Sequence, residues 1–305
     1  MVHARSGQAL PLPPEKLRFM NENDEQLIQV GDELAGLLVS SGLTETSSVL
    51  DVGCGYGRLA LGLLHSTDYR GPYLGFDIQA RSIDWCSSAI TPVFPSVRFV
   101  HLDVRNDRYN RKGTIDPTGM SFPARSASID ACALISVFTH FYRPDIERYL
   151  SEIRRVLKPG GFAVITWFLF DDARLPAATS SDATYPMVHV LDEQTRYTKE
   201  GDPLRAIAYH EDAMRTMAAA ARLKVRAVDR GTWAGEPGRV FQDVVVLERS
   251  ISDTRVDPEP KGPGLMDRLA ETGRDIWARA RPIAGRIARL PRRAIRKAVR
   301  VIRSR

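Results

Sequence analysis

Residues 49–58, Val-Leu-Asp-Val-Gly-Cys-Gly-Tyr-Gly-Arg, run from an apolar stretch through an acid into three glycines at alternate positions. Gly53, Gly55 and Gly57 can take positive φ and let a ligand lie against bare backbone, while the first N–H groups of a following helix point at its anionic end. A charged, extended ligand fits that description. A dinucleotide fingerprint would place its third glycine where Arg58 stands, and no G-x-x-x-x-G-K-[ST] loop follows to suggest a nucleoside triphosphate.

Two further acids repeat the pattern of Asp51. The run Pro72–Phe76 ends at Asp77, with room for one helix between it and Asp51, and the run from Val97 to Leu102 ends at Asp103, followed by Val104. Parallel α/β sheets bind ligands beyond the carboxyl ends of their strands, where an acid can accept both hydroxyls of a ribose. Singly, each acid could cap the next helix or turn. Jointly, Asp51, Asp77 and Asp103 are expected to converge on one molecule.

These residues resemble the class I methyltransferases that use S-adenosylmethionine. The resemblance runs over roughly residues 46–250. It continues through Ile129-Asp-Ala-Cys-Ala-Leu-Ile-Ser-Val-Phe-Thr-His-Phe and Tyr149-Leu-Ser-Glu-Ile-Arg-Arg-Val-Leu-Lys-Pro-Gly-Gly, which look like a fourth strand, a fourth helix and the turn into a fifth strand. It implies that Asp51, Gly53, Gly55 and Gly57 hold the methionine part, that Asp77 binds the ribose, and that Asp103 meets the adenine amino group. Ile78 and Val104 would then sandwich the adenine ring. Many family members acting on nucleobase or protein nitrogens carry Asn/Asp-Pro-Pro-Tyr after the fourth strand; here Ile135-Ser-Val-Phe-Thr-His-Phe stands there, which points to a hydroxyl acceptor. A hydroxyl needs help losing its proton. His140, one turn past the strand end, titrates in the right range for a general base, with capping or packing as its alternative role. His189, His210 and Asp171 are weaker candidates.

The elements that must position these groups can be read from patterning. Asn23–Ser41 carries a helical apolar stripe behind an Asn or Asp cap. Phe162–Phe170 reads as a strand buried on both faces, Glu211–Leu223 as a helix, and Lys224–Val228 and Phe241–Leu247 as two last strands. The fold expected is α/β: a doubly wound, seven-stranded, mostly parallel sheet with a final antiparallel hairpin, plus a C-terminal basic helical tail. Residues 105–128 and Asp171–Tyr209, the latter with Tyr185, Tyr197 and Tyr209, read as long loops at the sheet's carboxyl edge, the natural walls of a substrate site.

The domains expected are an N-terminal segment and cap helix (1–45), the methyltransferase domain (46–250), a Pro/Gly-rich linker (251–264) and a basic amphipathic tail (265–305). From Lys261 onward 14 Lys or Arg stand against three acids, so although the chain carries +6 overall, its first 260 residues carry −5. Within the tail Ile276, Ile283, Ile287, Leu290, Ile295 and Ile302 recur at mostly helical spacing. That combination suits an anionic membrane surface, with nucleic acid as the rival partner. An enzyme so anchored would act on a lipid-linked, sugar or other small hydroxyl acceptor. A nucleic-acid methyltransferase and a noncatalytic cofactor-binding adaptor are the alternatives. No apolar run approaches the roughly 20 residues needed to span a membrane, and Gly7–Pro14 has no signal-peptide core. Cys54, Cys86 and Cys132 are odd in number and far apart, as reduced thiols of a cytoplasmic protein would be. Without a C-x-x-C pair or a His cluster, no metal site is expected.

Overall fold

The structure, a computed structural model, describes residues 2–18 and 23–259; the basic tail lies outside the described residues. Seven strands form the main sheet: β1 (Val49–Val52), β2 (Tyr73–Asp77), β3 (Val97–His101), β4 (Ile129–Leu134), β5 (Leu157–Trp167), β10 (Lys224–Asp229) and β11 (Asp243–Glu248). Their spatial order is β10-β11-β5-β4-β1-β2-β3. Strands β1 to β5 pair in parallel, and β11 runs antiparallel to both β5 and β10, so the doubly wound sheet with its final hairpin is as expected. Alternate residues Ala131, Ala133, Phe162, Val164, Val244 and Val246 join one core with helices α1 (Asp24–Ser40), α2 (Arg58–Ser66) and α3 (Ala80–Ala89). The residues between them, Cys132, Ala163, Ile165 and Val245, are buried too, because α4 (Arg143–Val156) and α6 (Glu211–Ala220) lie in the other layer.

Helix α1 starts in a capping box, Asn23 accepting from the Gln26 N–H and Gln26 from the Asn23 N–H. It crosses α2 at two glycines packed so closely that a Cβ on Gly62 would lie 1.9 Å from the Gly31 carbonyl oxygen. Asp32 and His65 pair across the same crossing at 2.9 Å. This contact seats α1 against the helix that leaves the glycine loop.

Several expected boundaries move, each for a local reason. The run read as one strand to Phe170 breaks after Trp167, the last residue of β5 paired with β11, because the Leu169 N–H turns to the Asp243 carboxylate at 2.7 Å. Strand β5 begins earlier, at Leu157, so Pro159-Gly160-Gly161 is its irregular first part rather than a turn before it. Helix α6 ends at Ala220, where Arg222 takes φ 56° and the Leu223 N–H returns to the Ala218 carbonyl.

The larger difference is Asp171–Tyr209, read as a loop. It contains α5 (Leu175–Thr179) and the strands β7 (His189–Asp192) and β8 (Thr195–Tyr197). With β9 (Ile207–His210) and β6 (Leu169–Phe170) these form a second sheet, order β6-β9-β8-β7. Its core gathers Phe168, Phe170, Met187, Ala208 and Trp233. One buried carboxylate ties this layer to the main sheet: Asp243 accepts from the Arg174 guanidinium, the Gly231 and Leu169 N–H groups and the Trp233 indole, all at 2.6–2.8 Å. Residues 251–259 carry no helix or strand but are pinned, since the buried Arg154 binds Asp253 and Asp257 and Glu259 accepts from the Ser126 N–H.

Among the described residues no helix is long and apolar enough to cross a membrane.

Candidate functional site

The glycine loop leaves β1 and enters α2 with Gly53, Gly55 and Gly57 all at positive φ (72°, 54° and 79°). The left-handed Gly57 is the N-cap of α2, so the loop's backbone curls over the end of β1 and into the helix start. A Cβ on Gly53 would lie 2.7 Å from a Val137 methyl, which brings the end of β4 directly onto the loop. Ser136, one residue earlier, holds φ 57°, a left-handed backbone rare outside glycine, fixed by its N–H to the Thr166 hydroxyl and its own hydroxyl to Gln242.

The three acids sit at the carboxyl ends of adjacent strands, yet each has its own internal partners. Asp77 accepts from the Gly55 N–H and the Gln79 N–H, both at 2.8 Å, one on each oxygen. It therefore ties the loop to the end of β2, and a lone pair remains on each oxygen for a vicinal diol. Burial raises its pKa above the usual carboxylate range, opposed by those backbone donors. Asp51 lies deeper: it is 3% exposed, accepts from the Tyr73 hydroxyl, and is pushed up to about 7, chiefly by burial. Its place is beneath the loop. Asp103 accepts from the Asn110 amide and from the Thr114 N–H and hydroxyl, bonds that lower its pKa and fold the start of the 105–128 insertion around it. Val104 is buried and bridged to Ile115, and Ile78 is half-buried. The free cysteines are buried, and burial raises all three thiols, which disfavours thiolate chemistry.

His140 closes a short 3-10 turn, Phe138–His140, after β4. Its Nδ1 lies 2.9 Å from the Leu204 carbonyl oxygen, a group that can only accept. The proton is therefore on Nδ1, and Nε2 keeps its lone pair. Burial lowers the imidazole's pKa, so the ring is neutral at neutral pH. Tyr209 from β9 donates to the Phe141 carbonyl at 2.9 Å, seating the same turn against the second sheet. Two buried polar groups at this edge, the Thr139 hydroxyl and the Trp167 indole N–H, have no protein partner.

The weaker candidates have other places. His189 stacks on Tyr197 in the β7–β8 hairpin, His210 caps α6 by accepting from the Asp212 N–H, and Asp171 pairs with Arg230. Sequence reading missed Leu204, Arg108 and Asp202 beside His140, and the Arg174–Asp243 anchor. None carries a local motif, and only the length of the two insertions hinted that they hold something. A concavity of about 550 Å³, lined in part by Arg5, Leu43, Tyr69 and Arg70, is at the amino-terminal edge of the strands, opposite the glycine loop.

The residues fit the cofactor that the resemblance implies. The loop offers backbone where side chains would collide, and Asp77 has acceptor capacity for a ribose diol. Asp103, with one lone pair left on the oxygen that takes Asn110, can still meet an amino group.

Residues 50–165 match the family model of a methyltransferase domain. A fatty-acid O-methyltransferase from Mycolicibacterium smegmatis (strain ATCC 700084 / mc(2)155) is 27% identical over 155 residues, 51% of this chain and 47% of that protein. The chain thus spans about half the length of that curated relative. Among solved structures, a Pyrococcus horikoshii OT3 protein is 19% identical with a TM-score of 0.49, covering 78% of this chain and 96% of its own. A Burkholderia thailandensis 1,6-didemethyltoxoflavin-N1-methyltransferase is 15% identical with a TM-score of 0.46, covering 74% and 80%.

Proposed function

We propose that this chain, whose residues 50–165 match the family model of a methyltransferase domain, is a class I S-adenosylmethionine-dependent methyltransferase that O-methylates a hydroxyl of a small or lipid-linked molecule, with His140 as its general base. The observation that carries this reading is the fixed tautomer of His140: Nδ1 donates to the Leu204 carbonyl, which puts the lone pair of the neutral ring on Nε2. S-adenosylmethionine, the cofactor of this domain, supplies an electrophilic methyl group. Gly53, Gly55, Gly57 and Asp77 would hold it, with Asp51 bracing the loop from below and Asp103, Ile78 and Val104 around the adenine. The O–H bond of the acceptor breaks as its proton passes to Nε2, which later returns it to solvent. The rest of the protein's part is alignment and exclusion of water by the two insertions.

The basic, isoleucine-striped sequence of residues 265–305 favours an acceptor presented at an anionic membrane surface, and a peripheral location with it. A second reading draws on the relative named a fatty-acid O-methyltransferase. A carboxylate acceptor is already ionised at neutral pH and needs no base.

Transfer of isotope-labelled methyl from S-adenosylmethionine into a cell extract, fractionated into lipid, polysaccharide and nucleic acid, tests both. Alkali-stable label in lipid or saccharide is expected. Alkali-labile label would mean a methyl ester and the carboxylate reading, and label in nucleic acid, or none anywhere, would overturn both.

A further inference from the structure

His140 is enclosed by two stretches of chain that are far apart in sequence. From the first insertion, Tyr109 sets its ring edge-on to the imidazole, with centroids 5.5 Å apart and planes at 78°. From the second, the turn Pro203–Arg205 presents the Leu204 carbonyl to Nδ1. Arg108, next to Tyr109, and Asp202, two residues before Leu204, bond to each other, so the insertions are joined beside the ring they flank. The Arg108 guanidinium also lies 5.5 Å from the centre of the Tyr109 ring. Other titratable or charged groups on the elements packed here are Asp107 beside Arg108, Arg205 on the Leu204 turn, Tyr209 and His210 on β9, and Tyr142 after His140, while the charges acting on the ring itself are Arg108 and Asp202. Trp167, at the end of β5, is uncharged. The balance of charge next to the imidazole is therefore set largely by Arg108 and Asp202.

We propose that Arg108 and Asp202 form a clasp that positions His140, closing the two insertions on the imidazole and placing one charge of each sign beside it. This rests on His140 being the general base. Neither residue is catalytic; both act through the ring. The clasp holds Tyr109 and Leu204 where Nδ1 donates to the Leu204 carbonyl and the lone pair of the neutral ring falls to Nε2. Its charges oppose each other, since Arg108 disfavours an imidazolium and Asp202 favours one. Removing either residue opens the clasp, but the two losses unbalance the field in opposite directions.

The test is the pH titration of the His140 ring by NMR on the full chain, assigned by the resonance missing in His140→Gln, alongside the pH profile of kcat/KM. Arg108→Ala should raise the titration midpoint and Asp202→Asn should lower it. Each should cost about two- to tenfold in kcat/KM, as for a partly exposed pair, and Arg108→Lys should restore the midpoint. Midpoints that move the same way in both variants, or not at all, would overturn the clasp. If the midpoints part as expected while the rate profile ignores them, the clasp stands and the base assignment for His140 fails.

Discussion

The two halves of the carboxyl edge are built on different length scales. On the β1–β2–β3 side the groups proposed to hold the cofactor are organised by neighbours in the strand order: Asp77 takes the Gly55 N–H across one strand pairing, and Asp51 takes the Tyr73 hydroxyl from the next strand. On the β4–β5 side His140 gets its orientation from Leu204, and the turn that carries it from Tyr209, both in a segment that first had to fold into a second sheet. The proposed cofactor half therefore rests on pairings between neighbouring strands, whereas the proposed acceptor half depends on a layer anchored by one buried carboxylate. Perturbations should separate along that line.

The largest separation is expected from His140→Ala. Cofactor affinity by calorimetry should stay near wild type while turnover falls by about a hundredfold to ten-thousandfold, the usual span for a general base. Because burial lowers the ring's pKa, the wild-type rate should hold through pH 6.5 and fall only below the ordinary imidazole value, as the base gains its proton. Loss of cofactor binding in step with the rate would join the two halves and make His140 structural.

Next comes the anchor. Asp243→Ala leaves the buried Arg174 with the half-exposed Glu236 as its remaining carboxylate partner beside the Leu169 and Gly231 carbonyls, and strips acceptors from two backbone N–H groups and the Trp233 indole. Removing one member of a buried pair costs about 3–5 kcal/mol. Denaturant unfolding should show that loss, and hydrogen exchange should place the early opening in residues 169–210 rather than in β1–β3. Uniform exchange across both sheets would show that the second layer has no separate stability.

A smaller effect is expected on the cofactor side. Asp77→Ala should weaken S-adenosylmethionine binding by about tenfold to a hundredfold, the value of hydrogen bonds to a charged group at roughly 1.5–3 kcal/mol. The NMR titration of His140 should be unchanged in the same variant. Unaltered cofactor affinity would remove Asp77 from the site.

How legible each half was follows from the same contrast. The glycine spacing and the acids at strand ends determined the position of the loop and the ends of the first three strands, because glycine φ, apolar runs and helix caps are properties of a few adjacent residues. The Asn23 cap, the break from the dinucleotide fingerprint at Arg58, and the final hairpin belong to the same class. What each acid does there was decided by burial and by donors brought in from other strands. Asp103 is thus held by Asn110 and Thr114, and Asp51 is sealed under the loop. The second sheet left no clear trace in the sequence, since its strands are two to four residues long and β7 alternates no apolar face. Only the tertiary structure set Leu204 against His140, Arg108 against Asp202 and Asp243 among its four donors, because those contacts join residues that have no relation in sequence until the chain is packed.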